Sequence, residues 1–147
     1  LSDLGQGPVA LDTSIFVYFI EEHPLYLPLV DPLFEAIDAG AIEAVTSSLT
    51  LLEVLVIPFR TGNATLVERY ETLLSRSEGL QLIDLDRDFL RSVAQVRAVT
   101  RAKTPDAMQL AAALAAGCPV FLTNDNRIPA VPGLRLVQLE DYRPKES

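Results

Sequence analysis

Cysteine and histidine occur once each in these 147 residues, as Cys118 and His23, and tryptophan does not occur. A single cysteine excludes an internal disulfide, and its apolar, alanine-rich setting suits core filling in a reducing cytosol. One thiol and one imidazole cannot make an ordinary structural zinc site. Ser-His-Asp or Cys-His catalysis would have to use His23, which sits beside Pro24 in an expected loop, and no Gly-x-Ser-x-Gly elbow is present. Walker-A and Gly-x-Gly-x-x-Gly loops are missing too. No apolar run reaches the roughly 18 residues that a membrane span needs. Residues 1–8 have neither the basic start nor the apolar middle of a secretory leader, so a cytoplasmic protein without a membrane partner is expected. Basic charge is also short: twelve Lys and Arg against twenty Asp and Glu give a net charge of −8. That opposes a nucleic-acid partner, unless several carboxylates converge and a bound divalent cation reverses the local field.

What is present reads as one globular domain over 1–147, with 49% hydrophobic and 22% charged residues. Short apolar runs alternate with helical patterns. Strands are expected at Val9 to Leu11, Ile42 to Thr46, Leu80 to Leu85, Val120 to Leu122 and Leu134 to Leu139. Helices are expected over Leu25 to Ala39, from Leu49 toward a disturbance at Pro58, over Asn63 to Ser75, after the cap Asp86, and from Thr104 to Gly117. In the last of these Thr104 is the expected cap and Pro105 the first helical residue. Strands alternating with helices imply right-handed crossovers. The expected fold is α/β, a three-layer α/β/α sandwich with a mainly parallel sheet of about five strands.

Ligand sites in such folds lie outside the carboxyl ends of the strands, and several acids stand there. Asp12 ends the first strand. Asp125 follows Val120 to Leu122. Asp106 opens a helix, and Glu53 is a lone acid within apolar Leu49 to Ile57. Each has a local explanation. Asp12 can cap the next helix. Glu53 follows Thr50 by three residues, as in a capping box. Asp106 complements a helix dipole, and Asp125 between two asparagines suits an Asx turn. Together, though, these four acids can converge on one crevice. Hard oxygen ligands of this kind suit Mg2+ or Mn2+.

Four segments in order resemble the motifs of the PIN-domain family, most closely the VapC-type toxins. They are Leu11-Asp12-Thr13-Ser14, Ser48 to Leu55 around Glu53, Thr104-Pro105-Asp106-Ala107 opening an alanine-rich helix, and Leu122-Thr123-Asn124-Asp125. The match runs from about Val9 to the C-terminus. The resemblance implies an endoribonuclease of a toxin–antitoxin pair, in which Asp12, Glu53, Asp106 and Asp125 hold one or two Mg2+ or Mn2+ ions. The metal would acidify a bound water and polarise a phosphodiester oxygen. Glu53 would bind metal or place the water, and Thr13, Ser14 and Thr123 would orient these groups. RNA as substrate, a small antitoxin and a homodimer are the implied partners, and the apolar helix surface in Leu49 to Leu74 offers a dimer face. Ile128 and Pro129 depart from the aromatic residue frequent in the family after the last Asp. Arg101, Lys103 and Arg127 are the basic residues nearest the motifs and could hold RNA phosphates, or could be solvated surface charges. The alternative is a PIN-fold module that binds RNA or protein without chemistry, suggested by the negative charge. A phosphatase with Asp12 as nucleophile fits less well, because Ser14 occupies the place of its usual second Asp.

Overall fold

Parallel pairing of short strands requires long returns, and this chain supplies a helical one between each of its first four strands and a loop before the fifth. β1 (Val9–Leu11) leads through α1 (Thr13–Ile20) and α2 (Leu27–Asp38) to β2 (Ala44–Ser47). From there α3 (Leu49–Arg60) and α4 (Ala64–Arg76) reach β3 (Leu80–Ile83), and α5 (Arg87–Val99) and α6 (Thr104–Ala115) reach β4 (Val120–Thr123). β5 (Arg135–Gln138) follows β4 at the sheet edge. This computed structural model describes residues 2–145; the termini of the expected 1–147 domain, Leu1, Glu146 and Ser147, lie outside the described residues. The strand order is β3-β2-β1-β4-β5 and every pairing is parallel. The five-strand α/β/α sandwich expected from the sequence is therefore the observed fold.

Strand alternation sends side chains to two cores. Val9, Leu11, Val120 and Leu122 pack with Ile15, Phe16, Leu33 and Tyr70 beneath α1 to α4. Ala10, Val45 and Phe121 pack with Phe89, Val93 and Leu110 beneath α5 and α6. β1, β2 and β4 are buried at every residue, as strands covered on both faces must be. Among the described residues no helix is long and apolar enough to cross a membrane.

Local signals and structure agree in some places and part in others. Asp86 caps α5 as expected, accepting Phe89 N–H at 2.8 Å, and Asn63, expected as the first residue of a helix, caps α4 by accepting Leu66 N–H at 3.1 Å. α3 runs past Pro58 to Arg60 instead of failing there. The proline falls in the last turn, where it removes one N–H donor, and its carbonyl accepts Asn63 N–H at 2.9 Å. α6 is capped by the extended residue Lys103, so Thr104 lies inside the helix and accepts from Arg97 at 2.9 Å. α1 has no clear sequence signature, because Ile15, Phe16, Val17, Tyr18 and Phe19 are poor helix formers. Burial of Ile15 and Phe16 in the core outweighs that preference.

Gly79 precedes β3 where the backbone passes close to the end of α2. A Cβ there would stand 2.5 Å from the Ile37 carbonyl oxygen and 2.9 Å from its Cγ2. Gly79→Ala should destabilise the fold by about 1–3 kcal/mol, read as a lower urea midpoint with an unchanged m-value. An unchanged midpoint would mean that β3 shifts without cost.

Candidate active site

The strand order reverses between β1 and β4: the chain leaves β1 for β2 on one side, and β4 returns on the other. A crevice opens outside the strand ends at such a point. Asp12 directly follows β1, and Asp125 lies just beyond β4. Asp106, in the first turn of α6, and Glu53, on α3, approach from the flanking helices. All four acids line one cleft of about 430 Å³, together with Thr13, Ser14, Tyr18, Gln109, Asn124 and Arg127.

Each acid's local surroundings differ from or add to its sequence-level explanation. Asp12 does cap α1: its Oδ1 accepts Thr13 N–H at 2.8 Å. Its Oδ2 also accepts the Thr123 hydroxyl at 2.6 Å. The buried Thr123 oxygen accepts Asp125 N–H at 3.0 Å, so one hydroxyl ties both strand-end acids together. Glu53 does not form a capping box with Thr50. Its Oε1 accepts the Thr13 hydroxyl at 2.7 Å instead. Asp125 forms the Asx turn, accepting Arg127 N–H at 2.9 Å, and its two oxygens also take Arg127 Nε at 3.0 Å and Nη2 at 3.2 Å.

Beneath the acids lies a buried polar network that sequence reasoning missed. Gln109 Nε2 donates to Thr50 at 2.8 Å and to Thr13 at 3.2 Å. Its Oε1 accepts Ser47 N–H at 3.4 Å. The hydroxyls of Thr46 and Thr50 are 2.7 Å apart, and Thr46 donates to the Leu11 carbonyl at 2.9 Å. Gln109, Thr46, Ser47 and Thr50 are all buried. The available signal was one amide inside the apolar run Met108 to Ala113. A buried amide must find partners.

Burial is the main force pushing the Asp12 carboxyl above the usual carboxylate range, with the charges of Asp106 and Glu53 adding to it and the Thr123 and Thr13 hydrogen bonds opposing. Asp106 is likewise pushed up, first by burial and then by Asp125, against Arg127 and Lys103. Asp125 is held low by the Arg127 guanidinium. Of the basic residues singled out from the sequence, Arg127 lines the cleft, whereas Arg101 and Lys103 are exposed and stand outside its lining. His23 is outside it too, its ring packed against Tyr18 and Tyr26 with centroids 5.1 and 4.8 Å away. Cys118 is buried, and that burial pushes its thiol up to about 11, which leaves it inert at neutral pH.

The donor set fits a hard divalent cation in its chemistry. Four carboxylates supply oxygen ligands, and two of them titrate high through burial and, after it, the charges of neighbouring acids. The side chains as they stand do not close around an ion: among the described residues no group of three or more His, Cys, Asp or Glu is arranged to hold one. Asp125 is turned into Arg127, so loading an ion there would have to release that contact, while Glu53 Oε1 is held by Thr13.

An acid whose folded pKa is raised binds its proton more tightly in the folded chain, so its contribution to stability falls as pH rises. Without metal, Asp106→Asn should therefore be more stable than the parent at pH 7. The gap should close as pH falls toward about 4, the unfolded carboxylate value. Urea unfolding in EDTA across that range checks it; a gap that stays constant or reverses would contradict the electrostatic account.

Fold and site together define an α/β protein with an acidic cleft at the switch point of a parallel sheet. A family model for the PIN domain matches residues 9–134, and the chain belongs to that family. No match is found among curated proteins. Solved structures share the fold. A toxin–antitoxin complex from Klebsiella pneumoniae contains a chain 20% identical, with a TM-score of 0.64, matched over 86% of this chain and 94% of that one. VapC20 of Mycobacterium tuberculosis, described as a sarcin–ricin loop cleaving toxin, is 14% identical with a TM-score of 0.65, over 82% of this chain and 92% of that one. DNA-bound VapBC from Salmonella typhimurium is 21% identical with a TM-score of 0.61, over 90% of this chain and 98% of that one.

Proposed function

We propose that this chain is a Mg2+- or Mn2+-dependent endoribonuclease, the cytoplasmic toxin of a toxin–antitoxin pair, acting as one domain over 1–147. The observation that carries this is the convergence of Asp12, Glu53, Asp106 and Asp125 on one cleft at the strand ends. Membership of the PIN family and likeness to toxin–antitoxin chains support it. Asp12, Asp106 and Asp125 would hold the ion. When bound, it supplies Lewis acidity toward a phosphodiester oxygen and lowers the pKa of water.

The chain's own residues do the rest. Thr123 fixes the angle of Asp12, and Thr13 fixes Oε1 of Glu53. The second Glu53 oxygen would then take a proton from the attacking water, while Ser14 adds a hydroxyl to the cleft wall. Arg127 neutralises Asp125 in the absence of metal. With Asp125 holding an ion, the Arg127 guanidinium would be free to pair with RNA phosphate. Arg127→Ala should thus tighten Mn2+ binding several-fold in calorimetry without RNA, yet raise KM for RNA. Weaker Mn2+ binding would mean that Arg127 supports the site instead of masking it.

An antitoxin and a second copy of the chain complete the proposed partners. Leu52, Val56 and Phe59 recur on one face of α3 and are 59%, 42% and 62% exposed, a stripe suited to a homodimer. A non-catalytic RNA- or protein-binding module is the second reading, favoured by the open arrangement of the acids and by the Arg127 contact. Incubation with mixed RNA separates the two. The parent should cleave only with Mg2+ or Mn2+, and Asp12→Asn should fall to the EDTA level. No cleavage by folded, partner-free protein would favour the binding module.

A further inference from the structure

We propose that Gln109 is a positioning residue that fixes Glu53 through the Thr13 hydroxyl; its consequence for rate rests on the nuclease reading above, whereas the positioning itself does not. Gln109 lies one helical turn beyond Asp106 on α6, so both face the same cleft. Its amide has one allowed orientation. Ser47 N–H needs an acceptor, so Oε1 faces β2 and the NH2 group faces Thr50 and Thr13.

Proton counting then sets the direction of every bond. Each threonine hydroxyl has one proton to give. Thr46 has two acceptors in reach, the Leu11 carbonyl at 2.9 Å and Gln109 Oε1 at 3.3 Å; either one takes its proton, so Thr50 gives its own to Thr46 at 2.7 Å. Gln109 donates one N–H to the Thr50 oxygen and one to the Thr13 oxygen, occupying one lone pair of each. The Thr13 proton is left for Glu53 Oε1 at 2.7 Å. Thr13 has another neighbour that could take that proton, the Thr50 oxygen at 3.2 Å. The Gln109 donation to Thr50 competes for that acceptor and keeps the Thr13 hydroxyl aimed at Glu53. Without the amide, Thr13 can turn to Thr50 and Glu53, exposed on α3, loses its anchor.

The test compares the parent with Gln109→Met, which keeps bulk and removes both donors. Thr13→Val and Thr13→Ser are made alongside, in case the buried substitution impairs folding. NMR couplings across the Glu53 side chain are read first, in metal-free protein. The parent and Thr13→Ser should hold Glu53 in one rotamer, and Gln109→Met and Thr13→Val should let it average. Mn2+-dependent RNA cleavage is read second, in the parent and in a Glu53→Gln background. Gln109→Met should cost on the order of 10-fold in the parent and nothing more once Glu53 is already Gln. Glu53 equally ordered in Thr13→Val, or an equal loss of rate in both backgrounds, would overturn the proposal. If the parent cleaves no RNA, the nuclease reading falls and the rotamer measurement still decides the positioning.

Discussion

A single amide sits where four elements of this fold meet. Gln109 comes from α6, its oxygen takes a β2 backbone N–H, and its nitrogen donates to hydroxyls at the starts of α1 and α3. In a buried setting each of those groups costs about 1–3 kcal/mol if left unpaired. Among the described residues, no buried side-chain nitrogen or oxygen lacks a partner. The two helices that carry Glu53 and Asp106 are therefore bound to the sheet by directional bonds as well as by apolar packing. Packing alone would tolerate sliding, and a hydrogen-bonded junction under the cleft does not.

That rigid floor carries an electrostatic load. Asp12 and Asp106 titrate high because they are partly buried near other acids, and Asp125 escapes only by pairing with Arg127. A fold gains nothing in stability from such a cluster, and the nuclease reading proposed above gives it a functional sense, since a cation would complete it. The chain's negative charge stops being an objection to RNA on the same ground. The field that meets a phosphate would be set by the ion and Arg127, not by the distant acids.

The strands, and with them the sheet, were legible because their signal is local: buried apolar runs bounded by turns. The cap Asp86 was legible for the same reason. α1 was not, since its residues prefer strands and only the core against Ile15 and Phe16 makes them helical. Thr104 looked like a cap because threonine caps well, yet Lys103 holds the extended backbone that begins α6. At the site, the four acids were legible from position and family resemblance. Their partners were not. Glu53 is bonded across 40 positions of sequence to Thr13, while a local pattern with Thr50 suggested a different bond. Gln109 stood in the alanine-rich helix that Asp106 opens, without a role, because its partners come from β2, α1 and α3.

Whether the four acids form one cation site is the question on which the functional account turns. Thermal unfolding of the parent and of Asp12→Asn, titrated with Mn2+, answers it without any RNA. A ligand that binds only the folded chain raises its midpoint in step with concentration. The account predicts a rising midpoint for the parent and a flat one for Asp12→Asn. Parallel behaviour of the two proteins, rising or flat, would contradict it.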